Sequence, residues 1–223
     1  MIKNYYQEIK YKYDIYSLKK DGKELKYKPW LGDIFSSSYD FFMKKTVFPK
    51  KLNASIDKNK EFLEYKLGNI HNKNILELAT GSGNLSEILP NDNRYIGLDI
   101  SKGLLKIANE RFLEKGFKNL RFYVCGVKQL PFKDNIFDIC ICNLSLNFFE
   151  ELKPLINELK RVLKKKGFFF CSVPVPERKK EKSKIRGKLR SEKRLKELFE
   201  KNGFSFKSYK FHNGAILYFK AEL

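Results

Sequence analysis

Two hydrophobic patterns alternate along the chain from about residue 53 onward. Short, nearly continuous apolar runs predict buried strands at 74–78, 94–98, 120–124, 136–142 and 167–173. Between these runs, apolar residues recur at helical spacing, which predicts amphipathic helices over about 56–67, 83–89, 101–116, 151–163 and 191–202. Two last strands, at 204–211 and 215–221, flank the turn residues 212–214 and should therefore be antiparallel.

Strands and helices in this order predict an α/β fold. Near-continuous apolar strands separated by amphipathic helices are typical of a parallel sheet covered by helices on both faces. We predict a seven-stranded, mostly parallel sheet with the last strand antiparallel, formed by a domain over residues 55–223. Open sheets of this kind bind ligands beyond the carboxyl ends of their strands, so the site is expected there.

The first 54 residues have a different composition. Aromatic residues are interleaved with lysines, and Gly22, Pro29, Gly32 and Pro49 interrupt any periodicity. A disordered tail would not carry so many large apolar groups. We predict an ordered, aromatic-rich N-terminal cap over residues 1–54 that folds over the carboxyl edge of the sheet.

Positive charge is the compositional outlier of this 223-residue chain. It contains 46 Lys and Arg against 26 Asp and Glu, a net charge of +20. Such an excess favours contact with nucleic acid, an anionic membrane or an acidic substrate, although a lysine-rich surface that binds nothing explains it equally well. No apolar run approaches a membrane span and the N-terminus lacks the apolar core of a signal peptide, so a cytoplasmic protein is expected.

Basic residues concentrate in one segment after the strand at 167–173. Residues 176–194 contain ten Lys and Arg against three Glu, with almost no apolar periodicity. The basic loop, residues 176–191, is therefore predicted to be mobile rather than packed. It leaves the sheet at its carboxyl edge, where the cations of 178–194 would meet a phosphate-bearing or otherwise anionic acceptor, unless they are only part of a lysine-rich surface.

Cysteines and histidines do not form a metal-binding pattern. Cys140-Ile-Cys142 has no histidine nearby, so the four cysteines are expected to be buried, reduced and apolar in character, and no metal is expected. His71 precedes the strand at 74–78, and His212 lies in the turn at 212–214. Both are expected at the surface.

One motif carries the chemistry. The segment Asn74-Ile-Leu-Glu-Leu-Ala-Thr-Gly-Ser-Gly-Asn-Leu-Ser86 joins a strand, a glycine turn and a helix start, and a second strand ends at Asp99. Gly81 and Gly83 let a ligand approach the backbone, and Asp99 can accept hydrogen bonds from both hydroxyls of a ribose. Ser86 stands where a nicotinamide-binding G-x-G-x-x-G frame requires glycine, which disfavours that cofactor.

This motif resembles motif I (E/D-x-G-x-G-x-G) of class I S-adenosylmethionine-dependent methyltransferases, with Ala79 in place of the first glycine. Four further segments resemble the ubiquinone/menaquinone-biosynthesis-like branch (methyltransferase type 11): Leu130-Pro-Phe132, Asn135-Ile-Phe-Asp138, Asn143-Leu-Ser-Leu-Asn-Phe-Phe149 and Arg161-Val-Leu-Lys-Lys-Lys-Gly167. The resemblance covers about residues 35–223. It implies a Rossmann-like fold and S-adenosyl-L-methionine as cofactor, with S-adenosyl-L-homocysteine as product and no metal.

The resemblance also implies a role for individual residues. Glu77 would hold the amino group of the methionine moiety through water, and Asp99 would bind the ribose. Backbone contacts to the methionine half would come from the turn, namely Ala79, Thr80, Gly81 and Gly83. The adenine and the sulfonium would be bordered by residues after the next three strands, namely Ile100, Leu104, Gly126, Val127, Asn143 and Leu144.

Two positions depart from the family pattern. Relatives usually carry Asp where Gly126 stands, and that Asp accepts a hydrogen bond from the adenine amine. They often carry His-His where Asn147-Phe148 stand, so no imidazole is available there as a base. Methyl transfer is an in-line displacement that depends mainly on orientation and water exclusion. Tyr39, Asn143 and Asn147 are therefore candidates for the reacting cleft, and no general base is identified.

Three functions remain open from the sequence. The first is methyl transfer to a small-molecule acceptor, which the basic loop would allow to be anionic. The second is an RNA methyltransferase whose basic loop contacts phosphates, although Asn143-Leu-Ser-Leu146 lacks the N/D-P-P-Y/F pattern of enzymes that methylate amines of flipped bases. The third is a cofactor-binding protein without catalysis, which Gly126 and the missing histidine pair would fit.

Overall fold

The computed structural model describes residues 1–27 and 36–223, and these form a mixed sheet with flanking helices. The strands are β1 Tyr6–Lys12, β2 Ile15–Lys20, β3 Lys23–Glu24, β4 Asn74–Leu78, β5 Arg94–Asp99, β6 Leu120–Val124, β7 Phe137–Asn143, β8 Leu163–Pro174, β9 Ser205–Ser208 and β10 Ile216–Glu222. The helices are α1 Tyr39–Phe42, continued by a π-helix over Met43–Leu52, then α2 Ile56–Leu67, α3 Lys102–Glu114, α4 Leu152–Val162 and α5 Glu192–Lys201. Short 3₁₀ turns cover Ser36–Ser38, Asn84–Glu87, Leu146–Phe148 and Pro176–Arg178.

The sheet has the strand order β1-β2-β6-β5-β4-β7-β8-β10-β9, with β3 paired to β2. The central strands β6, β5, β4, β7 and β8 are parallel, and β10 runs antiparallel to both β8 and β9. The predicted α/β fold with a reversed last strand is confirmed, but the sheet has ten strands within the described residues instead of the predicted seven, because β1, β2 and β3 extend it beyond β6. Ser55, Ser101 and Ser191 begin α2, α3 and α5, and each hydroxyl accepts a hydrogen bond from the backbone N–H three residues later.

Helices cover the sheet on both sides because side chains alternate between its faces. On one face, Leu76 and Leu78 of β4 share a core with the apolar sides of α4 and α5. On the other face, Ile75 joins the apolar sides of α2 and α3. The four cysteines are free and buried, as expected. No helix within the described ranges is long and apolar enough to span a membrane.

The start of the chain differs from the predicted cap. Residues 6–24 form an antiparallel ribbon that extends the sheet, and β2 pairs in parallel with β6 through Ile15 and Phe122. Ile15 and Leu18 are fully buried, but lysines and tyrosines around them hide the strand pattern in the sequence. Among the described residues of this segment, Tyr6, Lys20, Leu25, Tyr27 and parts of 38–52 reach the carboxyl edge. Pro29 and Gly32 lie outside the described residues, and the domain boundary at 54/55 stays a prediction.

Two predicted elements are shorter in the structure. The helix predicted over 83–89 is only the 3₁₀ turn Asn84–Glu87. The strand predicted over 204–211 is only β9, Ser205–Ser208, and residues 209–215 connect it to β10 through a turn in which the Ile216 amide donates to the Asn213 carbonyl at 3.2 Å. Asn213 anchors this connection to the start of α2, since its side chain donates to the Ser55 carbonyl and accepts from the Ser55 amide, both at 2.8 Å.

Candidate functional site

A cavity of about 980 Å³ lies at the carboxyl edge of the sheet, beyond the ends of β4, β5, β6 and β7. This volume is at the upper end of the range for small-molecule sites, about 300–1,000 Å³. Its floor is formed by the sheet ends, and its other walls come from the π-helical segment and the basic loop. The lining is mostly apolar, with a few charged groups that can orient a ligand.

The glycine turn bends the chain sharply between β4 and the next 3₁₀ turn. Ala79, Gly81 and Gly83 all have positive φ angles, of 53°, 59° and 80°. At Gly81 the nearest atoms to an added Cβ would be those of the Tyr39 ring, 4.0 Å away, so the backbone faces open cavity. At Gly83 an added Cβ would lie 2.7 Å from the Ala108 Cα, so this glycine permits close packing against α3.

Asp99 ends β5, and its carboxylate borders the cavity. One carboxylate oxygen accepts a hydrogen bond from the Gly81 amide and the other from the Ser101 amide, each at 2.9 Å. The side chain therefore ties the glycine turn to the start of α3. Two backbone donors fix the orientation of the carboxylate at the cavity wall.

The N-terminal part of the site is fastened to the glycine turn by Asp40. Its carboxylate accepts from the Ser82 hydroxyl at 2.7 Å and from the Arg111 guanidinium, which also donates to the Ser82 carbonyl at 3.1 Å. Tyr39 is thereby held over Gly81 at the cavity wall. Burial raises the pKa of Tyr39 to about 12, and Asp99 and Asp40 add to the rise. The phenol is therefore protonated near neutral pH, and it forms a wall rather than a base.

Glu77 lies behind the cavity wall and is 2% exposed. The Tyr95 hydroxyl donates to its carboxylate, yet burial dominates and raises the pKa of Glu77 to about 8. Ionisation of this carboxyl group in the folded protein is therefore costly unless a positive charge comes near.

Glu77 should make stability depend on pH. Because its pKa is raised on folding, the native state retains a proton that the unfolded state loses between about pH 4.5 and pH 8. We expect the free energy of unfolding to fall as pH rises through this range, by at most about 1.4 kcal/mol per pH unit from this group. Glu77→Gln should flatten that fall in denaturation titrations at pH 5 and pH 8. Parallel curves for the two proteins would show that Glu77 is not buried as described.

The far side of the cavity is built by the chain after β7. Leu144 and Asn147 line it, whereas Asn143 does not, because its side-chain oxygen accepts from the Ser172 hydroxyl at 2.5 Å. The Asn147 side-chain amide donates to the Arg186 carbonyl at 2.7 Å. Asn143 and Asn147 are thus committed to structural partners, and a role in the reacting cleft stays a prediction for both.

The basic loop makes more long-range hydrogen bonds than the sequence predicts, although most of its residues are exposed, and its mobility stays a prediction. Asn147 binds it from both sides, because its carbonyl also accepts from the Lys188 amide at 2.7 Å. The Ser183 hydroxyl donates to the Lys51 carbonyl, and Arg190 donates to the carbonyls of Phe149 and Glu150. These anchors are polar, so they leave no hydrophobic periodicity in the sequence.

Gly187 allows the basic loop to approach Asn147. It has a φ of +87°, and an added Cβ would lie 2.3 Å from the Asn147 carbonyl oxygen. We expect Gly187→Ala to release the loop and to increase the rate of trypsin cleavage within residues 178–190 by about tenfold or more. Lys182→Ala, at an exposed position of the same loop, should leave cleavage at the remaining sites unchanged. Equal cleavage rates in wild type and Gly187→Ala would contradict the packed conformation.

Part of the sequence that forms this cavity matches the model of a known protein family. The family model described as a methyltransferase domain matches residues 69–216, which include the glycine turn, Asp99 and the strands that end at the cavity. The chain belongs to the methyltransferase domain family. The resemblance to class I S-adenosylmethionine-dependent methyltransferases of the ubiquinone/menaquinone-biosynthesis-like kind is confirmed.

Two curated relatives match this methyltransferase domain in sequence. The uncharacterized methyltransferase YcgJ of Bacillus subtilis is 32% identical over 96 residues, which are 43% of this chain and 38% of that protein. The demethylmenaquinone methyltransferase of Lactococcus lactis subsp. lactis is 31% identical over 110 residues, which are 48% of this chain and 44% of that protein. The chain therefore matches less than half of the length of either relative.

Solved structures share the fold of this methyltransferase domain. A SAM-dependent methyltransferase from Aquifex aeolicus has a TM-score of 0.61 at 18% identity, covering 83% of this chain and 96% of that chain. The geranyl diphosphate C-methyltransferase from Streptomyces coelicolor A3(2) has a TM-score of 0.59 at 15% identity, covering 74% of this chain and 75% of that chain.

Most residues predicted to contact the cofactor lie around the same cavity. Eight of them line it: Ala79, Gly81, Asp99, Ile100, Leu104, Gly126, Val127 and Leu144. Glu77, Thr80, Gly83 and Asn143 are not part of the lining. Glu77 and Thr80 lie buried behind the turn, and Gly83 packs on α3. Cofactor contact by these twelve residues stays a prediction. Among the described residues, no group of three or more His, Cys, Asp or Glu side chains could hold a metal ion.

Tyr27 is a cavity residue that the sequence did not single out. Its ring carbon Cε1 lies 3.2 Å from the position of an added Cβ on Gly126, and its hydroxyl donates to the Cys125 sulfur at 3.8 Å. The ring thus stands beside the position where relatives carry the adenine-binding Asp. Only the fold brings Tyr27 to this loop, about a hundred residues away in the chain.

Gly126→Asp should strengthen cofactor binding relative to Gly126→Ala. Gly126 does not have a positive φ angle, so neither substitution strains the backbone, and both must displace the Tyr27 ring by a few tenths of an ångström. Only the aspartate adds a charged acceptor for the adenine amine, an interaction worth roughly 1.5–3 kcal/mol. We expect the Kd of S-adenosylhomocysteine, measured by calorimetry, to be about tenfold lower for the Asp variant. Equal values would place the adenine away from this loop.

Proposed function

We propose that the protein transfers a methyl group from S-adenosylmethionine to a small-molecule acceptor. One observation carries the proposal: the glycine turn and Asp99 border the same cavity as Leu144, Phe148 and the basic loop. A cofactor placed on the turn and on Asp99 would therefore have the rest of the cavity beside it for an acceptor. At about 980 Å³, the space is large enough for both.

The residues present fit this cofactor. The exposed backbone at Gly81 suits the methionine half, and the Asp99 carboxylate, oriented by two amides, suits the ribose. Ile100 and Leu104 offer apolar surface to an adenine, beside Gly126 and Tyr27. A cationic amino group near Glu77 would favour the ionised form of that buried carboxyl group.

The chemistry requires little from the protein beyond orientation. When bound, S-adenosylmethionine supplies an electrophilic methyl group on a sulfonium, which becomes a neutral thioether after transfer. Apolar walls, including Leu144 and Phe149, would hold the acceptor in line and keep water away. Tyr39, protonated at neutral pH, would complete the wall and donate a hydrogen bond. An acceptor that reacts as an anion or a carbanion equivalent needs no further base.

A small-molecule acceptor has more support than the alternatives. The demethylmenaquinone and geranyl diphosphate methyltransferases are both named for small molecules. The basic loop, which motivated the RNA alternative, borders the cavity and contributes only Ile185 and Arg186 to its lining. Beyond the net charge, and beyond Gly126 and the missing histidine pair, neither the RNA function nor the non-catalytic function gains support from the cavity or from these relatives.

The proposal can be tested with S-adenosylmethionine labelled with tritium on the methyl group. We expect label to move into organic-extractable small molecules when metabolite extracts are supplied, and not into total RNA. Asp99→Ala should abolish transfer at cofactor concentrations that saturate the wild type. Transfer into RNA, or tight cofactor binding without transfer into any extract, would contradict the proposal.

A further inference from the structure

The basic loop forms part of the acceptor side of the cavity through one cation. Within residues 176–191, only Ile185 and Arg186 line the cavity. Other cations of the loop serve its own structure: Arg178 donates to the Ile216 carbonyl and pairs with Glu192, and Lys179 donates to three carbonyls of the loop. Arg186 is thus the cation of this loop that borders the cavity.

Arg186 is positioned by buried contacts. Its carbonyl accepts from the side-chain amide of Asn147, which is 3% exposed, and the next residue, Gly187, packs at its Cα against the Asn147 carbonyl. Lys188 completes the clamp by donating its amide to the same carbonyl at 2.7 Å. The Arg186 side chain is exposed, but its backbone is held in place by these contacts to Asn147.

Lys51 also lines the cavity, as do Lys20 and Lys128. Lys51 is the last residue but one of the π-helical segment, and its carbonyl accepts from the hydroxyl of Ser183, which lies three residues before Arg186. Its ammonium lies 5.6 Å from the centre of the Phe42 ring. Among the described residues, neither Lys51 nor Arg186 has a carboxylate partner within ion-pair distance.

The surfaces around these two cations are apolar. Phe42 and Phe148 line the cavity and remain about half exposed, at 47% and 56%, and Ile185 packs against the core on one side of the sheet. The lining also contains the carboxylates of Glu150 and Glu151, which precede α4. A ligand for this half of the cavity therefore needs an apolar body and a charged group matched to the cations.

We infer that the methyl acceptor is an amphiphile whose anionic group, a carboxylate or a phosphate, binds between Lys51 and Arg186 while its apolar body packs on Phe42, Phe148 and Ile185. This inference rests on the proposed function, since it concerns the acceptor half of the same cavity. An arginine and a lysine together suit a planar or tetrahedral oxyanion. Asn147 and Gly187 act as positioning residues for Arg186.

Two fluorescent dyes that share an apolar scaffold allow the contribution of the anionic group to binding to be measured separately from that of the apolar body. The probes are 8-anilinonaphthalene-1-sulfonate and N-phenyl-1-naphthylamine, which lacks the sulfonate. Both are titrated with S-adenosylhomocysteine at saturation, so that the cofactor half is filled. We expect the wild type to bind the sulfonate dye more tightly, and Arg186→Gln and Lys51→Gln each to weaken that binding about tenfold. Binding of the neutral dye should change less than about twofold.

Two further variants serve as controls for Arg186→Gln and Lys51→Gln. Lys182→Gln removes an exposed charge from the same loop without touching the cavity, and it should leave both dyes unaffected. Glu151→Gln should tighten binding of the sulfonate dye, because it removes a like charge from the cavity. Equal binding of the two dyes by the wild type, or an equal effect of Lys182→Gln and Arg186→Gln, would overturn the inference. Calorimetry of S-adenosylhomocysteine on the same variants should be unchanged, and failure of the wild type to bind it would instead overturn the proposed function.

Discussion

Asp99→Ala should weaken the binding of S-adenosylhomocysteine by at least about 100-fold. If Asp99 binds the ribose as proposed, the substitution removes the acceptor of two charge-assisted hydrogen bonds, each worth roughly 1.5–3 kcal/mol. It also removes the acceptor for the Gly81 and Ser101 amides, so the glycine turn loses its tie to α3. Binding is measured by isothermal titration calorimetry on the free protein, with micromolar affinity expected for the wild type.

Two further variants separate ribose binding from turn geometry. Asp99→Asn preserves the shape of the side chain but replaces one acceptor oxygen by an NH₂ group, which must face an N–H donor. It should therefore lose nearly as much affinity as Asp99→Ala. Ser82→Ala removes a hydroxyl that bonds to Asp40 on the far side of the turn and should cost less than about tenfold. If Asp99→Ala binds S-adenosylhomocysteine as tightly as the wild type, the nucleoside does not bind at this end of the cavity.

Among alanine substitutions at the glycines of the glycine turn, Gly83→Ala should destabilise the protein most. The added Cβ would lie 2.7 Å from the Ala108 Cα and 2.8 Å from the Ala108 Cβ, and the residue has a φ of +80°. Overpacking costs about 1–3 kcal/mol and the left-handed conformation about 1–2 kcal/mol for a non-glycine residue. We expect the free energy of unfolding, from urea denaturation, to fall by about 2–5 kcal/mol.

Gly22→Ala is the matched control for that substitution. Gly22 has a similar φ of +76°, but no atom lies within 4 Å of an added Cβ. Its loss of stability should contain only the conformational part, about 1–2 kcal/mol. The difference between the two variants measures the packing of the turn against α3. If both lose the same amount, Gly83 is needed for its backbone angle alone, and the contact with Ala108 is looser than described.

The buried parts of this fold could be predicted from the sequence. The runs at 74–78 and 120–124 coincide with β4 and β6, because a strand covered on both faces is apolar at nearly every position. Ser101 and Ser191 gave the starts of α3 and α5, since a cap depends on a local hydrogen bond. The glycine turn and Asp99 also form a short motif within one stretch of sequence, and the spacing of its residues predicted the family.

The remaining features depend on contacts between distant segments. The β1–β2 ribbon buries mainly Ile15 and Leu18 among lysines and tyrosines, so its pattern is too short to indicate strands. The basic loop is held by single hydrogen bonds to Asn147 and Lys51, which have no periodic signature. Tyr27 reaches Gly126 only because the ribbon adds to β6 and directs the following chain toward the carboxyl edge.

A crystal structure with S-adenosylhomocysteine would show whether one cavity can hold cofactor and acceptor side by side. We expect the ribose hydroxyls to lie within hydrogen-bonding distance of Asp99, the adenine to lie between Leu104 and the Gly126 loop, and the thioether sulfur to face Leu144 and the Arg186 side of the cavity. A nucleoside bound at the Lys51 and Arg186 end, or outside this cavity altogether, would contradict this expectation.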